Sequence, residues 1–222
     1  MPTLQINRLM LPALLLTWAV LLFGCEQREI QVHNLPWQIT VDEAGRLHVF
    51  DVTLGETTLW DAVKTWRAHP AVGIFSNADG TAPEAVEAYF DKVRLGPITA
   101  RMIVRLETSP AQLQALWAGR YNREPQPSGS WKFELADPQL EAAHALPIAE
   151  ITYIPTPSSD AELLTRRFGK PAGFRALEDE RSLWLYPDRG LAIILDENGK
   201  EIFQYVNPAR FGELEQRLAS LK

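Results

Sequence analysis

Ile98-Thr99-Ala100-Arg101-Met102-Ile103-Val104-Arg105-Leu106-Glu107 is the stretch that decides the fold. Ile98, Ala100, Met102, Val104 and Leu106 fall on one side of an extended chain, and Thr99, Arg101, Ile103, Arg105 and Glu107 on the other. Side chains alternate with period two only in a strand. One face is wholly apolar and the other carries three charges, so the strand has a core side and a wetter side, as antiparallel sheets do. Upstream, 85–93 flanks Leu95-Gly96-Pro97 on its other side.

Further upstream, 37–41 and 47–52 flank Asp42-Glu-Ala-Gly45 and predict a β-hairpin. Leu59, Ala62, Val63 and Trp66 recur at helical spacing, with Thr57 as the expected cap and Pro70 as the stop. Residues 72–75 form a short strand. Downstream, Ser109-Pro110 opens a helix to about Ala118. Residues 122–130 hold two Pro, one Gly and no apolar residue, which predicts a linker. Strands follow at 131–135 and 148–154, with a helix between them capped by Asp137. Ser158 or Ser159 caps another helix through Phe168, ended by Gly169-Lys170-Pro171. Strands at 174–177, 183–186, 191–195 and 202–206 precede a last helix carrying Phe211, Leu214, Leu218 and Leu221. The pattern of strand, capped helix and strands occurs at 37–107 and echoes at 148–206. The expected class is α+β: two antiparallel-sheet units with packed helices, with the echo suggesting a tandem repeat.

The N-terminus reads differently. Arg8 is the only charged side chain before Glu26, and 9–23 is an uncharged apolar run. It is shorter than the roughly 20 residues a membrane-spanning helix needs and has the pattern of a secretory signal peptide. It ends on Leu22-Phe23-Gly24-Cys25, and Cys25 is the chain's sole cysteine. This motif resembles the lipobox of bacterial lipoproteins. The resemblance implies cleavage before Cys25 and acylation of its sulfur. Phe23 departs from the small residue usual in the motif. Glu26 follows the cysteine where an Asp would signal inner-membrane retention in enteric bacteria, which leans toward the outer membrane. The expected organisation is a signal peptide at 1–24, a lipidated tether at 25–36, a first unit at 37–121, a linker and helix at 122–147, and a second unit at 148–222.

Phe168-Gly169-Lys170-Pro171 and the placement of the helix before it also resemble small α+β lipoprotein domains related to the outer-membrane assembly lipoprotein BamE and the β-lactamase inhibitor protein. That resemblance covers about 60 residues and implies binding of proteins, without catalysis. The Gly-Met-Thr of BamE is missing: Leu54-Gly55-Glu56-Thr57 stands at the first helix.

The chain has 222 residues, 46% hydrophobic and 23% charged, with a formal net charge of -6. This composition excludes a disordered chain. The acidic balance argues against a nucleic-acid partner. Removal of Arg8 with the leader would make the mature chain one charge more negative. With its sole Cys acylated, the chain has no thiol for a disulfide, a nucleophile or a metal. His33, His48, His69 and His144 show no metal-ligand spacing, and no nucleophile or phosphate-loop motif occurs. Asp196-Glu-Asn-Gly199 reads as a hairpin turn because the distal ligands of a calcium loop are missing. Glu178-Asp179-Glu180 reads as a hydrated tip. No cofactor, metal ligand or catalytic residue is expected. The candidate sites are Cys25 for lipid, and Trp60 and Trp117 for an exposed contact, since Trp concentrates at binding hot spots. The leading function is a membrane-anchored envelope lipoprotein that binds another envelope protein or supports envelope assembly. The rivals are a carrier or sensor of a small apolar ligand, which needs a cavity, and a hydrolase with a scattered carboxylate site.

Overall fold

The computed structural model describes residues 32–178, 180–196 and 201–221. The chain divides into Met1–Gln31 and the compact unit Val32–Lys222. The expected signal peptide, Cys25, Asp179 and the turn at 197–200 lie outside the described residues. The fold is α+β: antiparallel strands in two sheets, with five α-helices among the described residues.

A small sheet holds β1 (Thr40–Val41), β2 (Leu47–Val49) and β3 (Val52–Thr53). The other strands are β4 (Ala71–Ser76), β5 (Pro83–Leu95), β6 (Ile98–Leu106), β7 (Arg120–Pro125), β8 (Trp131–Leu135), β9 (Ile148–Pro155), β10 (Gly173–Ala176), β11 (Arg181–Tyr186), β12 (Leu191–Asp196) and β13 (Glu201–Val206). They form one sheet in the order β10-β11-β12-β13-β9-β6-β5-β4-β8-β7. The helices are α1 (Leu59–Trp66), α2 (Pro110–Ala118), α3 (Asp137–His144), α4 (Ala161–Phe168) and α5 (Phe211–Leu218).

The two segments expected as separate units share this sheet. β6 pairs with β9 from Ala100↔Pro155 to Leu106↔Ile148, so β6 is also the seam between them. The expected linker is a hairpin instead: β7 pairs with β8 from Arg120↔Leu135 to Pro125↔Trp131, and the Gln126–Ser130 turn closes it. Every residue of β7 is exposed. It is the last strand of the sheet, where a polar, proline-bearing edge discourages pairing with another chain. Such an edge strand has the composition of a linker.

Ala100, Met102 and Val104 point to the same face as Ala88, Phe90, Ile151, Tyr153, Phe203, Ile193 and Trp184, and all are buried. The apolar sides of α1, α2 and α4, Ala143 of α3 and the small sheet complete this core. Each fully buried Leu, Val or Phe contributes roughly 1.5–3 kcal/mol. Phe50 and Asp51 turn the chain from β2 to β3 at φ 55° and 60°. A bulky residue rarely holds positive φ. Phe50 is held there by Tyr153 and Tyr205, with centroids 4.8 and 5.4 Å away, and its carbonyl accepts the Trp66 indole N–H at 2.9 Å. On the opposite face, α5 packs Phe211, Leu214 and Leu218 on Leu183, Ala192 and Val206. The rest of that face, across β4, β5 and β6, carries Glu87, Tyr89, Arg101 and Arg105.

The caps shift by one or two residues from expectation. Thr58 caps α1, accepting from the Asp61 N–H at 3.2 Å, while the Thr57 hydroxyl accepts from the Thr53 N–H. Asp160 caps α4. Ala136 precedes α3, so Asp137 is its first residue and charges the N-terminal end. Ser109 opens α2 as expected, and its side chain and that of Gln112 form a capping box.

Candidate functional site

α1 and α3 are stitched together at one end. The Leu59 N–H donates to the Leu146 carbonyl, and the Ile148 N–H to the Thr57 carbonyl, both at 2.9 Å. Leu59 and Ala62 then face the core at 0% exposure. Trp60, one residue on, points away and is 55% exposed. Its ring stands edge-on to His144 at 6.0 Å, and the Lys64 ammonium lies 5.3 Å from its centroid. Between Trp60 and α3 runs an open-sided groove of about 650 Å³, lined by Thr58, Trp60, Leu140, His144, Asp137 and Glu141 among others.

The groove has an apolar floor and a polar rim. His144 Nδ1 lies 2.8 Å from the Leu140 carbonyl, which can only accept, so Nδ1 carries the proton and Nε2 is left for a ligand. Lys64 is drawn to Asp61 at 3.2 Å, which leaves Asp137 and Glu141 as the rim's acidic groups on α3. The Thr58 hydroxyl and Lys64 hold the Asp61 carboxyl below its usual range. Such a groove can take an apolar side chain beside a basic flank.

Trp117 does not join this surface. It is 7% exposed, packs edge-on to Phe133 at 4.9 Å, and is capped by the Arg120 guanidinium at 3.8 Å. Its helix is apolar on several sides, so sequence spacing left its direction open. The expectation of an exposed Trp117 is corrected: the ring is core with a cationic lid. His48 bonds Thr53 through Nδ1 and is exposed, as are His33 and His69. Among the described residues, no group of three or more His, Cys, Asp and Glu could hold a metal ion.

Two clusters escaped sequence reasoning because strand pairing builds them. On the open sheet face, Glu87 lies beside Arg105 and Glu150. Burial pushes the Glu87 carboxyl up, Arg105 opposes this, and Glu150 adds to it. Glu150 is committed to Arg217 at 2.7 Å and Arg210 at 3.9 Å, which ties α5 to the sheet. In the core, the Tyr153 hydroxyl and both Glu201 carboxylate oxygens are buried without a hydrogen-bond partner of ordinary geometry among the described residues. Burial raises the Glu201 carboxyl, with Ser159 pulling the other way, and burial together with the Glu201 charge raises Tyr153. No long-range sequence signal brings 87 to 150, or 153 to 201.

No protein-family model, curated protein or solved structure matches the chain.

Proposed function

We propose that this chain is a lipid-anchored envelope protein that binds another envelope protein in the α1–α3 groove and catalyses no reaction. Its anchor is Cys25, on the periplasmic side and more readily at the outer than the inner membrane. The observation that carries the binding reading is Trp60, 55% exposed over an apolar groove with acids at its rim. A large aromatic held half in water gains free energy when a partner covers it, and Trp is enriched among hot-spot residues. The partner surface that fits is an apolar side chain flanked by Lys or Arg. The groove volume also lies within the range of small-molecule sites, and this supports a second reading, a carrier of a small apolar ligand.

The test compares material co-purified from solubilised membranes by the wild type, Trp60→Ala and Leu140→Asp. The proposal expects a defined protein with the wild type, lost in both variants. A small apolar molecule found in place of a protein gives the site to the carrier. Equal recovery from all three overturns the groove as the site.

A further inference from the structure

The end of the sheet nearest the chain's entry carries unpaired cations. Val32 and His33 enter against the β5–β6 turn: a Cβ built on Gly96 would meet the His33 carbonyl at 2.6 Å and Val32 Cγ1 at 3.4 Å. Gly96 holds φ +56°, and no larger residue fits that approach. Lys92, Arg94 and Arg101 surround this turn, and all three are exposed. Register places Arg94 opposite Thr99 and Arg101 opposite Ile154, at the same end of the sheet. None of the three has an ion pair or side-chain hydrogen bond among the described residues. The acid in this hairpin end, Asp91, accepts from the Tyr89 hydroxyl at 3.0 Å. The cations stand out on a chain of net charge -6.

We propose that this end of the sheet rests on the bilayer, with Lys92, Arg94 and Arg101 against anionic lipid headgroups. The proposal rests on the lipid anchor at Cys25. Val32 lies seven residue steps along the chain from Cys25. Fully extended these reach at most about 25 Å, so an acylated Cys25 keeps the β5–β6 turn within that distance of the membrane. A negative membrane surface attracts basic residues within about a Debye length. Tether and charge therefore select the same end of the molecule.

The full chain, purified from membranes with its native leader processed, is reconstituted into vesicles of phosphatidylcholine alone or with about one-third phosphatidylglycerol. Intact mass reports acylation, and amine acylation of Lys92 relative to Lys64 reports shielding. The proposal expects acyl mass, and at least about threefold protection of Lys92 in the anionic vesicles alone, abolished by about 1 M salt. Arg94→Gln with Arg101→Gln should keep the acyl mass and lose the protection. A chain without acyl mass overturns the anchor and this orientation with it. An acylated chain whose Lys92 reacts equally in both vesicles overturns the orientation alone. Protection of Lys92 in detergent by inorganic phosphate would assign the cations to a free anion and overturn it too.

Discussion

Trp60 and Trp66 sit on the same helix and have opposite roles in this account, so the pair gives a sharp prediction. Trp66 is 5% exposed, stands edge-on to Phe90 at 5.2 Å, and donates its indole N–H to Phe50. Trp66→Ala removes a buried aromatic, which costs about 3–5 kcal/mol. It also orphans the Phe50 carbonyl, at about 1–3 kcal/mol, in a turn already at positive φ. The expected loss is at least about 4 kcal/mol, a large share of a domain's total stability. Trp60→Ala removes an edge contact to His144 and an exposed cation–π contact to Lys64. These are worth about 0.5–1.5 and 0.5–1 kcal/mol, and Ala recovers about half a kcal/mol of helix propensity. The net change should stay within about 2 kcal/mol. Urea unfolding of both variants, followed by circular dichroism at constant m-value, measures the difference. If Trp60→Ala destabilises as much as Trp66→Ala, Trp60 is a structural residue and the groove loses its rationale.

Other consequences are equally direct. Gly190 holds φ +56°, and a Cβ there would lie 1.9 Å from the Val206 carbonyl oxygen. Gly190→Ala should cost at least about 3 kcal/mol, whereas Gly45→Ala, at φ +78° with open space, should cost about the 1–2 kcal/mol of left-handed strain alone; thermal denaturation separates them. The Glu201 carboxyl is raised by burial, so the folded state holds its proton to higher pH than the unfolded chain does. This site's stabilisation is therefore complete below the usual carboxyl range and falls as pH rises through the raised folded value. Glu201→Gln should be more stable than wild type at pH 7–8, with the advantage shrinking toward pH 4; a constant difference would contradict this. Cys25→Ser should release the protein from the membrane fraction or leave its leader uncleaved. Unchanged fractionation at the mature size, without acyl mass, would refute the anchor.

Periodicity made most elements legible. The alternation at 98–107 located β6 and its core face, and capping and turn residues located the helices to within a residue or two. Sheet order was not legible. β6 and β9 lie some fifty residues apart, and pairing between such strands leaves no mark on the spacing of either, so the seam between the expected units was hidden. β7 was mistaken for a linker because an exposed edge strand needs no apolar residue. The two tryptophans divide for the same reason. Trp60 follows Leu59, whose place on the apolar stripe fixes the helix direction, so its exposure could be read from spacing. Trp117 sits on a helix without a clean stripe, and its partners Phe133 and Arg120 come from the neighbouring hairpin. The groove acids arrive on α3, nearly eighty residues after Trp60, and only tertiary packing brings them to it.

On the proposed reading, the groove beside Trp60 holds another protein in the envelope. The most direct measurement places a photo-crosslinking amino acid at position 60 in living cells, with position 121 as the control. Tyr121 is 48% exposed on the edge strand β7 and does not line the groove. Position 60 should give one discrete cross-linked product, absent from position 121 and suppressed by Leu140→Asp. No product at position 60, or the same products from both positions, would contradict it.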